Sequence, residues 1–198
     1  VFTTGINQEI AGTVAPTFNN LVINNANDVT LNVSTATVTG IMTLTTGRLI
    51  TGSRTVIMAS GSAVARTNGF VEGNLNKTFA LGNSTQTYEL GTNTEYTPAS
   101  ITCTSVNTAG TNNVTSVEGD HADIFSALIE PNNTANRHWS LTNVNVIFSA
   151  FSTGQVAVTF NWTNFDEDAG LDNTAIVKWY NNTTLTWEDV SKGGAAYS

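Results

Sequence analysis

Short runs of alternating apolar and polar residues follow one another along the first part of the chain, broken by turn residues at intervals too short for helices. Val29-Thr30-Leu31-Asn32-Val33 alternates, and so does Val38-Thr39-Gly40-Ile41-Met42-Thr43-Leu44. Arg48-Leu49-Ile50 and Thr55-Val56-Ile57-Met58 follow. Alternation with a period of two puts every second side chain on one face of a strand. Between these runs stand Asn24-Asn25-Ala26-Asn27-Asp28, Thr46-Gly47, Thr51-Gly52-Ser53 and Ser60-Gly61-Ser62, the residue types that favour turns. Comparable strands recur every 18 to 20 residues, from Val38 to Val56 and from Val29 to Leu49. A recurrence of that length predicts the stacked coils of a β-solenoid. Apolar stripes at helical spacing are nearly absent. The best helical candidate is Asp123–Glu130, stopped by Pro131, either a turn or two of helix or a loop.

The rest of the chain carries longer and more aromatic strands. In Gln155–Trp162, Val156, Val158, Phe160 and Trp162 share one face. Similar segments cover 96–105, 114–118, 137–142, 144–151, 175–180 and 185–190. Seven or eight such strands with turns between them predict an antiparallel β-sandwich. The expected fold class is therefore all-β, with a short β-solenoid over 1–80 and an antiparallel β-sandwich over 81–198. Charge divides at the same place: residues 1–80 carry net +1 and residues 81–198 net -9. No Pro-rich or Ser-rich linker marks the boundary, so the two parts are expected to share packing.

Only 11% of the 198 residues are charged, while Thr and Asn number 34 and 25. The net charge is -8. Nucleic-acid binding needs clustered Lys and Arg to displace counterions, and an anionic bilayer needs a basic patch. Neither partner suits this chain. Cys103 is the sole cysteine, so no intrachain disulfide or Cys-rich zinc site can form. It alternates with Ala99 and Ile101, the position of a small buried hydrophobe. No run of 18 apolar residues exists, so membrane insertion by a helix is not expected. Val1–Gly5 shows neither an initiator Met nor a basic and apolar leader, as expected of a mature processed form or a fragment.

Several segments resemble a known family in their order. Gln8-Glu9-Ile10-Ala11-Gly12-Thr13 precedes Phe18-Asn19-Asn20-Leu21-Val22-Ile23-Asn24-Asn25 and Val29-Thr30-Leu31. Gly69-Phe70-Val71-Glu72-Gly73-Asn74-Leu75-Asn76-Lys77-Thr78-Phe79 follows, then Leu90-Gly91 and Tyr96-Thr97-Pro98. Asn136-Arg137-His138-Trp139-Ser140-Leu141 and Trp187 complete the series. Together these resemble modules of repeat-rich surface proteins of the Bacteroidota, many exported by the type IX route. The resemblance implies solenoid stretches followed by sandwiches within adhesins, matrix proteins and surface fibres. It implies no catalytic residue.

Residue chemistry points the same way. Glu9, Asp28 and Glu72 are far apart in the solenoid stretch, a poor basis for glycosidase carboxylates. His121 lies in a polar stretch with no Gly-x-Ser-x-Gly elbow anywhere, and His138 is expected on the solvent side of its strand. An enzyme is not expected. Asp166-Glu167-Asp168-Ala169-Gly170-Leu171-Asp172 is the one oxygen-rich loop, and Asp166, Asp168 and Asp172 are the candidate calcium ligands. Rows of Thr at 35, 37, 39, 43 and 45 fit strand packing better than ice binding. Trp139, Trp162, Trp179 and Trp187 alternate as core residues do. The Asn-x-Ser/Thr triplets follow from composition. Lys178, in a core-like strand, is the lysine suspected of an isopeptide bond.

The expected function is a non-enzymatic structural module of a bacterial cell-surface adhesin or extracellular fibre, secreted and extracellular. The apolar, β-prone opening with Val1, Phe2 and Ile6 is the expected assembly segment, pairing with other copies or with adjacent modules of a longer chain. The alternative is a calcium-assisted module that binds surface glycans.

Overall fold

The computed structural model describes residues 1–3, 5–148, 156–169 and 177–189. The chain is nearly all-β and begins as a β-solenoid of about four turns. The first coil holds β1 (Phe2–Thr3), β2 (Gln8–Ala11) and β3 (Thr17–Phe18). The second holds β4 (Leu21–Asn24), β5 (Val29–Asn32) and β6 (Thr35–Val38). The third holds β7 (Ile41–Thr46) and the long β8 (Arg48–Met58), and the fourth β9 (Ala63–Arg66) and β10 (Phe70–Phe79). Strands stack in parallel from coil to coil, β1-β4-β7-β9 on one face and β2-β5-β8-β10 on the next.

Parallel stacking lines up equivalent residues of successive coils, so the core consists of columns. Val29 pairs with Leu49, and Leu49 with Val71. Leu21 pairs with Met42 and Met42 with Val64, while Ala36 pairs with Val56 and Val56 with Leu75. Apart from half-buried Val64, all of these are buried. At roughly 1.5–3 kcal/mol for each fully buried Val or Leu, these columns are the main source of solenoid stability. The 20-residue step from Val29 to Leu49 is the expected coil length. The step from Val38 is also 20 residues, to Met58 rather than Val56. The expected strand over 38–44 is likewise two strands, β6 and β7, separated by a corner at Thr39-Gly40. A Cβ on Gly40 would lie 2.5 Å from the Asn19 carbonyl oxygen, which explains glycine where adjacent coils turn so closely.

The corners are held by polar side chains. Buried Asn25 donates from Nδ2 to the carbonyls of Ile6 and Asp28 at 2.9 and 3.0 Å, tying the first coil to the second. Arg48 donates to Asp28 at 2.6 Å and to Glu72 at 2.8 Å, so one charged residue from each of three coils forms a ladder along one corner. Burial opposes ionisation of Asp28, but the hydrogen bonds and charge of Arg48 outweigh it and hold the carboxyl below its ordinary value. Thr17 and Thr37 stack with Ile57, and Thr43 stacks between Val22 and Ala65, so the threonines do not form one continuous ladder.

Beyond β10 the pairing turns antiparallel. The strands are β11 (Gly82–Tyr88), β12 (Gly91–Thr92), β13 (Glu95–Tyr96), β14 (Ala99–Thr108), β15 (Gly110–Glu118), β16 (Arg137–Val144), β17 (Ile147–Phe148), β18 (Val156–Phe160), β19 (Lys178–Asn181) and β20 (Thr186–Asp189). β15 pairs antiparallel with β10, β14 with β11, β17 and β18, and β19 with β20. Val156, Val158 and Phe160 pack against the core on one face, as their alternation predicts. The segment 123–130 supplies a single 3-10 turn, Ile124–Ala127, ended by Leu128 at φ 56°.

Two compact units emerge, Val1–Ser116 with Trp139–Phe160, and Val117–His138 with Asn161–Ser198. The change of pairing mode near residue 80 therefore does not coincide with a boundary between units, since β10 continues directly into antiparallel pairing within the first unit.

Candidate functional site

Among the described residues every strand of the first coil has a neighbour on one side only, and at the other end of the four-stranded order β9 likewise pairs with β7 alone. β1 ends the four-stranded order, β2 ends the eight-stranded order, and β3 pairs with β6 alone. An edge strand leaves a row of backbone N–H and C=O groups open to another strand. Beside these edges Val1, Ile6 and Val14 are 85%, 72% and 79% exposed. Exposed apolar side chains beside open strand edges make the first coil the candidate interaction surface.

The second coil places the strands of the first. Phe2 pairs with Ile23 and Gln8 with Val29. Asn25 fixes the Ile6 carbonyl, which leaves the Ile6 side chain pointing away from the core. Asn32 donates to Glu9 at 3.1 Å and accepts from Arg54 at 2.7 Å, so a polar row crosses three coils on the outer face. Of the three residues expected to act in assembly, Val1 and Ile6 are exposed, whereas Phe2 is half-buried and packs against its own core. Val14 was legible as an apolar residue between Gly12 and Pro16, outside any alternating run, but the sequence alone does not place it at the solenoid end.

The described carboxylates of the acidic loop accept hydrogen bonds from protein donors. Arg137 donates from Nε to Asp166 Oδ2 at 2.8 Å and from its second nitrogen to Oδ1 at 2.7 Å, and both side chains are buried. Asp168 accepts from the Thr134 amide at 2.9 Å and from Asn136 Nδ2 at 2.8 Å. Those bonds, the Thr134 amide first, hold the Asp168 carboxyl below its ordinary value. Thr134 also donates to Asp120 at 2.8 Å. Both described carboxylates of the candidate calcium set are thus taken by protein donors, and Asp172 lies outside the described residues. Among the described residues no group of three or more His, Cys, Asp or Glu is placed to hold a metal.

His121 stands in an aromatic cluster, with ring centroids 4.5 Å from Tyr180, 5.2 Å from Trp187 and 5.3 Å from His138. Trp187 donates to the Asp123 carbonyl at 2.9 Å, closing the hairpin onto the 3-10 turn. His138 is half-buried rather than on a solvent face, and its Nδ1 lies 2.9 Å from the Gly119 carbonyl. Burial pushes its pKa down, against the Gly119 contact. Trp139 stacks on Phe160 at 4.6 Å, but Trp179 is exposed and so departs from the core role expected of it. Lys178 forms an ion pair with exposed Asp189 at 3.1 Å instead of entering a core. Cys103 is buried beside Ala99 and Ile101 in the phase its alternation predicts, and burial pushes its thiol pKa up.

The fold defines the class of the protein, an all-β chain built on a β-solenoid. No protein family, curated protein or solved structure matches the chain. No helix among the described residues is long and apolar enough to cross a membrane.

Proposed function

We propose that this chain is a non-enzymatic structural module of a bacterial cell-surface adhesin or extracellular fibre, and that it associates by strand pairing at the first solenoid coil. The observation that carries this reading is the coincidence of three one-sided strands, β1, β2 and β3, with the exposed side chains of Val1, Ile6 and Val14. A second copy, or a neighbouring module of the same construction, adds strands in register and buries those side chains. At the opposite end of the coil stack β9 is also one-sided among the described residues, and only the neighbouring face is continued. β10 passes into antiparallel pairing with β15, and Arg66 of β9 lies 3.4 Å from the Tyr96 ring centroid.

The chemistry of the chain supports the same reading. Its polarity comes from Thr and Asn rather than from charge, and its rigidity from stacked columns rather than disulfides. The order of motifs that resembles type IX-exported surface modules adds an extracellular setting. Electron microscopy of the purified chain across a concentration series tests the proposal. Elongated assemblies support a fibre subunit, and isolated particles at every concentration count against it.

A further inference from the structure

We propose that Lys77 and Asn112 become joined by an intramolecular amide bond, with Glu89 as the acid–base group that makes and closes it. The placement begins with strand phase. On β10 the inward residues are Leu75, Lys77 and Phe79, and on β15 they are Asn112, Val114 and Ser116. In the antiparallel register Leu75 faces Val114 and Lys77 faces Asn112. Directly opposed residues point to the same face with Cβ atoms about 4.5–5.5 Å apart. A lysine side chain is long enough to span that gap, and the register sets the amine-bearing and carboxamide-bearing residues opposite each other on one buried face.

The surroundings of the pair suit the reaction. Lys77 is 6% exposed and Asn112 1%. Glu89 lies with Oε2 2.8 Å from Lys77 Nζ, and Nζ also donates to the Thr87 carbonyl. Tyr88 is fully buried, its ring centroid 5.7 Å from Nζ, and its hydroxyl donates to the main-chain carbonyl of Asn112 at 3.0 Å. Asn112 Nδ2 donates to Asn143 Oδ1, which aims the amide. Asn112 Oδ1 is buried with no partner among the described residues. Cγ of this carboxamide is the electrophile the reaction needs, its oxygen is open to a donor such as protonated Glu89, and holding both reactants on opposed strand positions removes much of the entropic barrier. Burial lowers the Lys77 pKa against the opposing pull of Glu89, which favours the neutral, nucleophilic amine.

The step balances without an oxidant. Glu89 takes a proton from the Lys77 ammonium, leaving a neutral amine and a neutral acid. The Nζ lone pair attacks Asn112 Cγ and forms the new C–N bond. Glu89 delivers its proton to Nδ2 and accepts one from Nζ as the Cγ–Nδ2 bond breaks. The departing ammonia carries the remaining proton away as ammonium, and Glu89 returns to carboxylate. The product fastens the last solenoid strand to the first strand that pairs antiparallel with it. This chemistry stands independently of the association proposed for the first coil.

Mass spectrometry of the denatured full chain is the test. The expected mass is one ammonia below that of the sequence, with the Lys77 and Asn112 peptides recovered as one branched species that trypsin does not cut at Lys77. Lys77→Arg, Asn112→Ala and Glu89→Gln each restore the full mass. A wild-type chain at full mass overturns the proposal, and that reading needs no variant to fold. A loss mapped to Asn68-Gly69, where succinimide formation also releases ammonia, overturns it equally.

Discussion

Lys77 lies directly over Met58 in the parallel register of β10 on β8. Below Met58 the same column continues through Val38 to Phe18. A charged side chain thus occupies the fourth place in an apolar column and remains buried there, its Nζ turned to Glu89. An ammonium group in that place needs a partner, because an unpaired buried charge costs several kcal/mol. The apolar column therefore ends at the fourth coil, and the antiparallel strand carrying Asn112 begins the next layer of structure.

A second buried charge pair, Arg137 with Asp166, gives the first prediction. Both side chains are almost wholly enclosed and the contact is bidentate. Arg137→Met leaves a buried carboxylate unpaired and is expected to cost about 3–5 kcal/mol, whereas Arg137→Met with Asp166→Leu costs markedly less. Urea denaturation of the two variants, followed by tryptophan fluorescence, measures the difference.

Acid sensitivity follows from three groups. Burial holds the His138 pKa below its ordinary 6.5, so the unfolded chain takes up a proton first as the pH falls through that value. The stability that neutral His138 supplies is complete above pH 6.5 and declines towards its folded value. Asp28 and Asp168 are held below the ordinary 3.8, so their contribution is complete above that value and is lost as pH falls through their folded values. Thermal melts against pH should show two falling limbs. His138→Gln removes the upper limb and leaves the lower one.

The coils also make opposite demands on two glycines. Gly47 sits at φ +76°, and a Cβ there would lie 1.8 Å from the Asn25 carbonyl oxygen. Gly52 sits at φ +57° with open space around it. Gly52→Ala should cost only the left-handed backbone penalty, roughly 1–2 kcal/mol. Gly47→Ala must also displace the Asn25 corner that ties the first coil to the second, and should destabilise the chain considerably more. Equal midpoints for the two variants in a denaturant titration would contradict this account of the corner.

Much of the solenoid was legible because its columns repeat. The pairing of Val29 with Leu49 follows from like residues at like intervals. The pairing of Val38 with Met58 was less legible, because β8 contains Thr51-Gly52-Ser53 within its run and blurs the phase of its two halves. Lys77 was open to the same reasoning. It alternates with Leu75 and Phe79, so the strand phase places it inward, although its charge suggests the surface. The partners of the acidic loop were not legible, because Arg137 lies 29 positions from Asp166 and no local pattern links them. The aromatic cluster around His121 draws on still more distant stretches, around Tyr180 and Trp187.

Calcium provides a further check on the loop. Arg137 already neutralises Asp166, and Thr134 and Asn136 already satisfy Asp168. A divalent ion would have to displace those donors. Addition of calcium or of a chelator is expected to leave the melting temperature unchanged. A rise in melting temperature with calcium would show that the loop opens to bind it.

Association at the first coil is the central claim, and light scattering after size exclusion tests it most directly. The wild-type chain is to be compared with the Ile6→Lys, Val14→Lys double variant across a concentration series. Both substitutions fall on exposed side chains, so the fold itself is left intact. The predicted result is a wild-type mass that rises with concentration and a variant that stays at the mass of one chain. A wild-type chain that remains a monomer at every concentration, indistinguishable from the variant, would contradict the account.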